Sequence, residues 1–282
     1  MARFSGSRLL TLLRSKEDAR ILYSYPGASA AFSLRALTVG DPTVVRVRRS
    51  SDNSEANFTA REVNDGTLIA WVGTTASDDG FVVTWFDQSG NGNDATQSTA
   101  GSQPLIVDGG MLVTENGNPA LGFAFAEAQT MTFSLTLSQP FEIYHVLKLN
   151  NRDTGGDDTQ YILDRANTVD PRIIIGKAAA TDIYRIFAGN ALDDTAHSQN
   201  QILRSSLFNG ASSSYYVDGG FITSGNAGAN NFNGNYRISG IDTGLAYFWD
   251  GTLQEFIIYA DQSANRVAIE QNIANYYGIT LA

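Results

Sequence analysis

The sequence predicts an all-β protein: a two-sheet antiparallel sandwich with a short helix at each end. Short runs of β-branched and aromatic residues recur along the chain, and the turn residues Gly, Asn and Asp separate them. Helical patterns do not alternate with these runs, so we do not expect a parallel sheet built from βαβ units. A length of 282 residues with 43% hydrophobic residues is sufficient for one large sandwich core.

Alternation of apolar and polar residues places the individual strands. Residues 141–149 are the clearest long strand, because their odd positions are largely apolar. The turn Asp108-Gly109-Gly110 lies between two apolar runs and predicts a hairpin. Residues 62–72 predict a short helix. Further strands are predicted at 160–163, 172–175, 184–187, 201–208, 214–217, 236–241 and 253–259.

Both ends of the chain are predicted to be helical. Residues 1–22 form a separate unit, in which Leu9, Leu10, Leu12 and Leu13 bunch on one side of a short helix. Four cationic residues lie before residue 17. Two roles stay open for this unit: packing on its own sandwich, or docking into a neighbouring subunit as a tether. The sandwich then spans residues 23–282. Ser263 is the predicted N-cap of the C-terminal helix and Gly278 its stop. The residues predicted to face inward on this helix are Val267, Ile269, Ile273 and Tyr277.

The charge balance excludes two classes of partner. Lys+Arg 19 against Asp+Glu 29 gives a net charge of −10, which disfavours nucleic acid and anionic membranes. No run of about 18 apolar residues is present, so we expect no membrane insertion. The chain has no cysteine, which excludes disulfides and thiolate metal sites. No secretory signal is visible, so we expect synthesis in the cytoplasm.

The most informative stretch is an apolar strand that runs into a polar loop. The loop motif consists of Asp87, Gln88, Ser89, Gly90, Asn91, Gly92 and Asn93. Its glycines can adopt positive φ, and its Asn and Asp side chains can bond the backbone two residues on. We therefore expect a structural loop that needs no ligand to hold its shape.

This motif, with Trp85 and Phe86 before it, resembles a signature of fungal-type α-L-arabinofuranosidase catalytic domains. It is also similar to bacteriophage tail and virion proteins with a concanavalin A-like (LamG-like) jelly roll. Residues 30–35 and 45–53 resemble the segment that precedes the motif in the phage proteins, and residues 251–259 resemble the closing strand. The resemblance covers residues 23–282. It implies a jelly-roll sandwich rather than one activity, because this fold hosts many activities.

The metal-ligand patterns are incomplete. Asp87, Ser89, Asn91 and Gly92 match the first half of a calcium loop, but Ser98 stands where the bidentate Glu is needed. We expect a structural turn and no cofactor, with calcium as the alternative.

The two histidines do not predict a metal or catalytic centre. His145 shares a strand face with apolar residues, so we expect it to be a satisfied histidine within the sheet. His197 lies in a polar loop and is predicted to be solvated. With two histidines and no cysteine, no zinc site is expected.

The resemblance also implies a search for paired carboxylates. Retaining glycosidases need a nucleophile and an acid/base carboxyl group about 5 Å apart. Asp242 lies in a segment that resembles the one carrying the acid/base Asp of the arabinofuranosidases. The segment matching their nucleophile, residues 161–169, contains no Glu, and Asp164 and Asp170 are the candidate substitutes. An incomplete pair predicts no turnover.

Sugar binding requires fewer groups than sugar hydrolysis. An aromatic platform with amide and carboxylate hydrogen-bond partners is sufficient. Phe232 and Tyr247 are aromatic candidates. The main candidates for glycan binding, all in or beside loops, are Tyr215, Tyr216, Asn231, Asn235, Asp242 and Trp249.

The sequence alone therefore favours a non-enzymatic bacteriophage virion protein, on the head or the tail, whose lectin-like domain binds host surface glycans. Docking of residues 1–22 on other virion proteins, a homo-oligomeric state and a location on the virion follow from this interpretation. The first alternative is a glycoside hydrolase of α-L-arabinofuranosidase type. The second is a purely structural decoration protein that binds no sugar.

Overall fold

The computed structural model describes residues 20–150, 159–165, 170–178, 181–194, 198–241 and 247–282. The leucine-rich part of the predicted N-terminal helix therefore lies outside the described residues. The helices are α1 (Ile21–Ser24), α2 (Ala60–Asn64), α3 (Thr67–Val72) and α4 (Arg266–Tyr277). The strands of the first half are β1 (Ala28–Ser33), β2 (Thr43–Arg49), β3 (Glu55–Thr59), β4 (Gly80–Trp85), β5 (Ala95–Thr96), β6 (Leu105–Asp108), β7 (Met111–Leu112), β8 (Thr114–Glu115), β9 (Asn118–Pro119), β10 (Leu121–Phe123) and β11 (Met131–Leu137). The strands of the second half are β12 (Phe141–Leu149), β13 (Gln160–Asp164), β14 (Arg172–Ala178), β15 (Thr181–Phe187), β16 (Ala191–Asp194), β17 (Ile202–Phe208), β18 (Ser213–Val217), β19 (Gly220–Gly225), β20 (Phe232–Ile238) and β21 (Gly251–Ala260).

These strands form two antiparallel sheets, which confirms the predicted all-β sandwich. The first sheet runs β19–β18–β17–β12–β21, and β1 and β10 both pair with the far edge of β21. The second sheet runs β3–β2–β4–β5–β11–β20–β13–β14–β15–β16. Strand β6 pairs with both β4 and β10, so it joins the two sheets at one edge.

The main hydrophobic core lies between the two sheets. Phe32 of the first sheet contacts Trp85 and Phe133 of the second, with ring centroids 5.7 and 5.3 Å apart, and all three side chains are buried. Tilted and edge-on arrangements of this kind suit the quadrupoles of the rings. Trp85, the last residue of β4, is therefore a main anchor of the core, and the loop motif that starts at Asp87 follows it closely.

A second core covers the outer face of the first sheet. Ile257 and Tyr259 of β21 pack there against Ile269 and Ile273 of α4, and Ile21 of α1 joins them. Strand β21 is consequently buried on both faces along nearly its whole length. The molecule thus has three layers: second sheet, first sheet and helices.

The C-terminal helix departs from its predicted start. Gly278 ends it as predicted, with φ 69° and its N–H bonded to Ala274. Ser263 does not cap it: a 3₁₀ turn comes first, and the Ser263 N–H donates to the Asp261 carboxylate at 3.0 Å. Val267 is 64% exposed rather than inward-facing. Because the 3₁₀ turn comes before the helix, Val267 in the first helical turn faces solvent instead of the first sheet.

The Asp87 carboxylate organises the motif loop. Its Oδ1 accepts hydrogen bonds from the backbone N–H groups of Ala31 (2.8 Å) and Ser89 (2.9 Å). Its Oδ2 accepts from the Ser89 hydroxyl (2.7 Å) and from the Asn93 N–H (3.0 Å). Gly90 and Gly92 have φ of 88° and 75°, values that other residues rarely adopt. Groups of the protein itself donate all four of these hydrogen bonds to Asp87.

The rest of the motif fastens the loop to the strand β1 and the residues after it. The Gln88 amide donates to the carbonyls of Ser33 and Arg35, both at 3.0 Å, and accepts from the Leu37 N–H at 2.8 Å. The side chains of Asn91 and Asn93 donate to carbonyl groups at the start of β1. These residues have a structural role, because every one of these bonds satisfies a backbone group of a neighbouring segment.

Candidate functional site

A polar patch surrounds the end of β13, and we call it the Asp164 patch. It consists of Tyr161, Asp164, Arg172, Arg237 and Tyr247. Asp164 lies opposite Arg237 where β13 pairs with β20, and Arg172 Nε is 2.9 Å from Asp164 Oδ1. The Asp164 side chain is only 4% exposed. A carboxylate buried this deeply requires a cationic partner, and Arg172 supplies the charge.

Strand alternation places this patch on the outer face of the second sheet. Tyr236 and Ile238 point into the core, so Arg237 between them points the other way. Leu163 is likewise a core residue, and Asp164 follows it. Asp164 and Arg237 therefore share the face that is turned away from the first sheet.

Two tyrosines form the rim of the Asp164 patch. The rings of Tyr161 and Tyr247 are 6.0 Å apart at their centroids, and both residues are half-buried. The Arg172 guanidinium lies 5.9 Å from the Tyr161 ring centre. Burial raises the pKa of the Tyr161 hydroxyl, and Arg172 partly offsets the rise. The hydroxyl therefore stays protonated at neutral pH and can donate a hydrogen bond.

The described residues on either side of Asp242, Ile241 and Tyr247, are bonded to the same patch. Asp242 itself lies outside the described residues. The carbonyl of Ile241, the residue before it, accepts a hydrogen bond from Arg237 Nη1 at 3.4 Å. The chain is described again from Tyr247, whose carbonyl accepts from the Tyr161 N–H at 3.0 Å. The described residues on both sides of residues 242–246 are thus bonded to members of the Asp164 patch.

Asp170, the other candidate carboxylate, lies on the opposite face of β20. It is bound by Arg165 at 3.0 Å. The Arg165 guanidinium is 5.9 Å from the ring centre of the core residue Tyr236. A Cβ at Gly234 would lie 3.0 Å from Arg165 Nη2, so this glycine allows the close approach. Of the two candidate carboxylates that the structure describes, Asp164 is the one that shares a face with Arg237.

Three of the aromatic residues predicted to bind glycans are core residues, and one of them, Phe232, is fully buried between the sheets. Tyr215 is fully buried, and its ring packs 5.3 Å from that of Tyr184. Trp249 is 2% exposed and belongs to the main core. The structure therefore leaves no ring face of Tyr215 or Trp249 for a sugar, and we no longer consider them candidates. Both residues flank turns in the sequence, but their side chains point between the sheets.

The remaining glycan-binding candidates lie on separate elements. Tyr216 on β18 has the Arg266 guanidinium 3.6 Å from its ring centre. Asn231 accepts a hydrogen bond from the Gln139 N–H at 2.8 Å in a loop. Asn235 is exposed on β20. The structure does not bring these three residues together, whereas it does place Tyr247 in the Asp164 patch.

Sequence reasoning missed a buried basic cluster. His145 lies fully buried on the core side of β12, and Arg204 lies opposite it on β17. The Arg204 guanidinium is 3.8 Å from the ring centre of Tyr184. Burial and the nearby Arg204 lower the pKa of His145 to about 3, so the imidazole is neutral at physiological pH. The sequence does contain a signal for this cluster. Ile202, Arg204 and Phe208 occupy even positions of one predicted strand, so Arg204 shares the core-facing side with two apolar residues.

Neither a metal cluster nor a membrane helix is found in the described part of the chain. No group of three or more His, Asp or Glu side chains there is placed to hold a metal ion. Among the same residues, no helix has both the length and the apolar character needed to cross a membrane.

Comparison with known proteins gives matches in fold but not in sequence. No protein-family model and no curated protein sequence matches the chain. An arabinofuranosidase complexed with arabinofuranosyl-alpha-1,2-xylobiose superposes with a TM-score of 0.67 at 16% identity, over 94% of this chain and 66% of that one. A GH54 α-L-arabinofuranosidase soaked with a cyclic sulfate inhibitor gives 0.63 at 15% identity, over 87% and 62%. The chain therefore spans less than two thirds of the length of either enzyme.

These findings correct the choice of function made from sequence. The non-enzymatic virion protein was the wrong first choice, because two arabinofuranosidase structures superpose over most of this chain with TM-scores above 0.6. Nothing in the comparisons links the chain to a phage. What they establish directly is the fold: a β-sandwich shared with arabinofuranosidases over nearly the whole chain.

Proposed function

We propose that the chain is a glycoside hydrolase of α-L-arabinofuranosidase type, with the Asp164 patch at its active site. One observation carries the proposal: the pairing of β13 with β20 places Asp164 opposite Arg237, which bonds the residue before Asp242. The fold shared with arabinofuranosidases supports it.

Asp164 is the proposed nucleophile. A retaining glycosidase needs one carboxylate that stays ionised and attacks the anomeric carbon. Arg172, whose Nε lies 2.9 Å from Asp164 Oδ1, places a positive charge beside this carboxylate. The ion pair also fixes the direction of the carboxylate, which reduces the entropy lost in reaching the attack geometry.

Asp242 is the proposed acid/base. In the first step it would protonate the leaving oxygen, and in the second it would take a proton from the attacking water. Its assignment rests on the sequence resemblance and on the bonds that join Ile241 and Tyr247 to the patch. The Tyr161–Tyr247 rim would supply an apolar wall for the sugar ring and a hydroxyl donor for its oxygens.

The test is release of 4-nitrophenol from 4-nitrophenyl α-L-arabinofuranoside by the purified protein and by carboxylate variants. We expect Asp164→Asn and Asp242→Asn each to lower kcat on the order of 10³-fold. Asp170→Asn is the matched control, since this carboxylate is also paired with an arginine but lies on the other face of the strand. The control should retain activity to within about threefold.

Azide separates the two roles in alanine variants. With Asp164→Ala, azide would replace the nucleophile and give the glycosyl azide of inverted configuration. With Asp242→Ala, azide would attack the covalent intermediate and give the azide of retained configuration. Full activity in Asp164→Asn would refute the assignment of the nucleophile. Absence of any release by the wild-type protein, from the aryl glycoside and from arabinoxylan, would refute the proposed function.

A further inference from the structure

Two adjoining hollows lie at the C-terminal helix, away from the Asp164 patch. The larger, about 440 Å³, is lined by residues that include Tyr276, Arg61 and Asn64. The smaller, about 340 Å³, is lined by Arg35, Asn272, Asn275 and Tyr276. Tyr276 and Arg35 border both hollows, so the tyrosine ring stands between them. We call the two hollows together the Tyr276 trough.

The Tyr276 ring is both exposed and held in place. It is 38% exposed, although it is large and aromatic. The Arg35 guanidinium lies 4.7 Å from its centre, and the Tyr277 ring meets it edge-on at 4.9 Å. An aromatic side chain that is already ordered loses little conformational entropy when a ligand covers it.

The positive charges around the trough are balanced. The larger hollow is lined by three arginines, Arg20, Arg35 and Arg61. Arg35 is paired with Glu255 at 2.7 Å, and Arg61 with Asp41 at 3.4 Å and Asp65 at 3.1 Å. Three cations against three carboxylates give 3 − 3 = 0. A neutral ligand therefore suits the trough better than a phosphate or an acidic sugar.

Amide groups supply neutral hydrogen-bond partners on both sides of the ring. The Asn64 amide nitrogen donates to the Ala60 carbonyl at 2.7 Å, so its carbonyl oxygen remains as an acceptor on the wall of the larger hollow. The Asn275 carbonyl oxygen accepts from Gln271 at 2.8 Å, so its NH₂ group remains as a donor beside the smaller one. An ordered aromatic face flanked by an amide donor and an amide acceptor is suited to a ring with apolar C–H groups and peripheral hydroxyls.

We propose that the Tyr276 trough is a second carbohydrate-binding site, which holds a neutral oligosaccharide chain across the Tyr276 ring. Each hollow is large enough for a sugar unit, and one ring between two hollows suits a chain rather than a monosaccharide. The trough lies on α4, in the helical layer outside the first sheet, whereas the Asp164 patch lies on the second sheet. The inference does not depend on hydrolysis at the Asp164 patch.

Affinity electrophoresis of the full chain in gels that contain soluble polysaccharide tests this site. The probes are arabinoxylan, arabinan and hydroxyethyl cellulose as neutral chains, and polygalacturonate as an anionic one. We expect Tyr276→Ala to weaken retardation by a neutral chain about tenfold or more. Tyr276→Phe should retain it to within about twofold, because the ring face and not the hydroxyl carries the contact. Phe221→Ala is the matched control, a 60% exposed aromatic residue on the hairpin β18–β19.

Three outcomes would overturn the proposal: no retardation of the wild-type protein by any neutral chain, equal retardation of Tyr276→Ala and wild type, or stronger retardation by polygalacturonate. Thermal unfolding of each variant shows whether it is folded. If Tyr276→Ala is not, Tyr276→Leu, which removes the aromatic ring but keeps a bulky apolar side chain, becomes the decisive comparison with Phe221→Ala, and the same loss of retardation is expected. Hydrolysis of 4-nitrophenyl α-L-arabinofuranoside is read separately. Its absence would refute the proposed function and leave the binding result unaffected.

Discussion

At the scale of single residues, the surroundings of Glu142 determine whether it is charged. Glu142 is 2% exposed and accepts a hydrogen bond from the Tyr144 hydroxyl at 2.7 Å. Loss of hydration raises the pKa of Glu142 to about 7, and the bond from Tyr144 only partly offsets this. The carboxyl group consequently changes its charge close to neutral pH, unlike an ordinary glutamate.

Glu142 should make the stability of the fold depend on pH. Its pKa rises from 4.5 in the unfolded chain to about 7 in the fold, so folding takes up a proton between these values. The stabilisation is complete below pH 4.5, falls as pH rises, and is lost above pH 7, with an amplitude of about 3 kcal/mol. We expect Glu142→Gln to remove this slope when the free energy of unfolding in urea is measured between pH 5 and 8. Glu55→Gln, at a half-exposed ion pair with Arg46, is the control. Parallel curves for wild type and Glu142→Gln would contradict the assignment.

At the scale of elements, one buried ion pair joins the first sheet to α4. Arg35, just after β1, donates to both carboxylate oxygens of Glu255 on β21, at 2.7 and 2.9 Å. The Tyr277 hydroxyl at the end of α4 donates to the same carboxylate at 3.1 Å, and Asn272 accepts from Arg35 at 3.1 Å. Because both carboxylate oxygens and the guanidinium make several hydrogen bonds, these contacts compensate for much of the cost of burying two charges.

Breaking this pair should be far more costly than breaking a surface pair. Glu255→Gln leaves Arg35 buried without its counter-charge, so we expect a loss of about 3–5 kcal/mol in the free energy of unfolding. Glu55→Gln again serves as the matched control and should cost less than about 1 kcal/mol, because solvent screens the pair of Arg46 and Glu55. Equal losses in the two variants, measured by urea unfolding at pH 8, would show that the buried pair contributes no more than the exposed one.

Local pattern was sufficient to predict several elements. Alternation predicted β12 at residues 141–149, and the Asp-Gly-Gly turn predicted the hairpin of β6 and β7. The start of α4 was mispredicted because Ser263 has the composition of a cap but lies in a 3₁₀ turn. Asp164 and Arg237 are 237 − 164 = 73 residues apart, and no local pattern states that β13 pairs with β20. The site could therefore be proposed only once the strand pairing was known.

At the scale of the whole molecule, the first sheet is the middle layer of three. Strands β12 and β21 are buried on both faces because α4 and α1 cover the side opposite the main core. This explains why their sequences contain long apolar runs instead of strict alternation. The helical layer is consequently part of the fold. Ile21, which packs in this layer, belongs to residues 1–22, the part of the chain that the sequence predicted to be a separate unit.

The boundary of the sandwich should therefore lie before residue 20 rather than after residue 22. Ile21 is fully buried in the second core, and Arg20 Nη1 donates to the carbonyls of Thr38 and Gly40. Removing residues 2–22 deletes both contacts, whereas removing residues 2–19 deletes neither. We expect the longer deletion to be less stable than the shorter by about 2–4 kcal/mol, the cost of a lost buried aliphatic side chain. Ile21→Ala in the full chain should reproduce most of that difference in urea unfolding. Equal stability of the two truncated proteins would place the boundary after residue 22 and make the helical turn at Ile21–Ser24 dispensable.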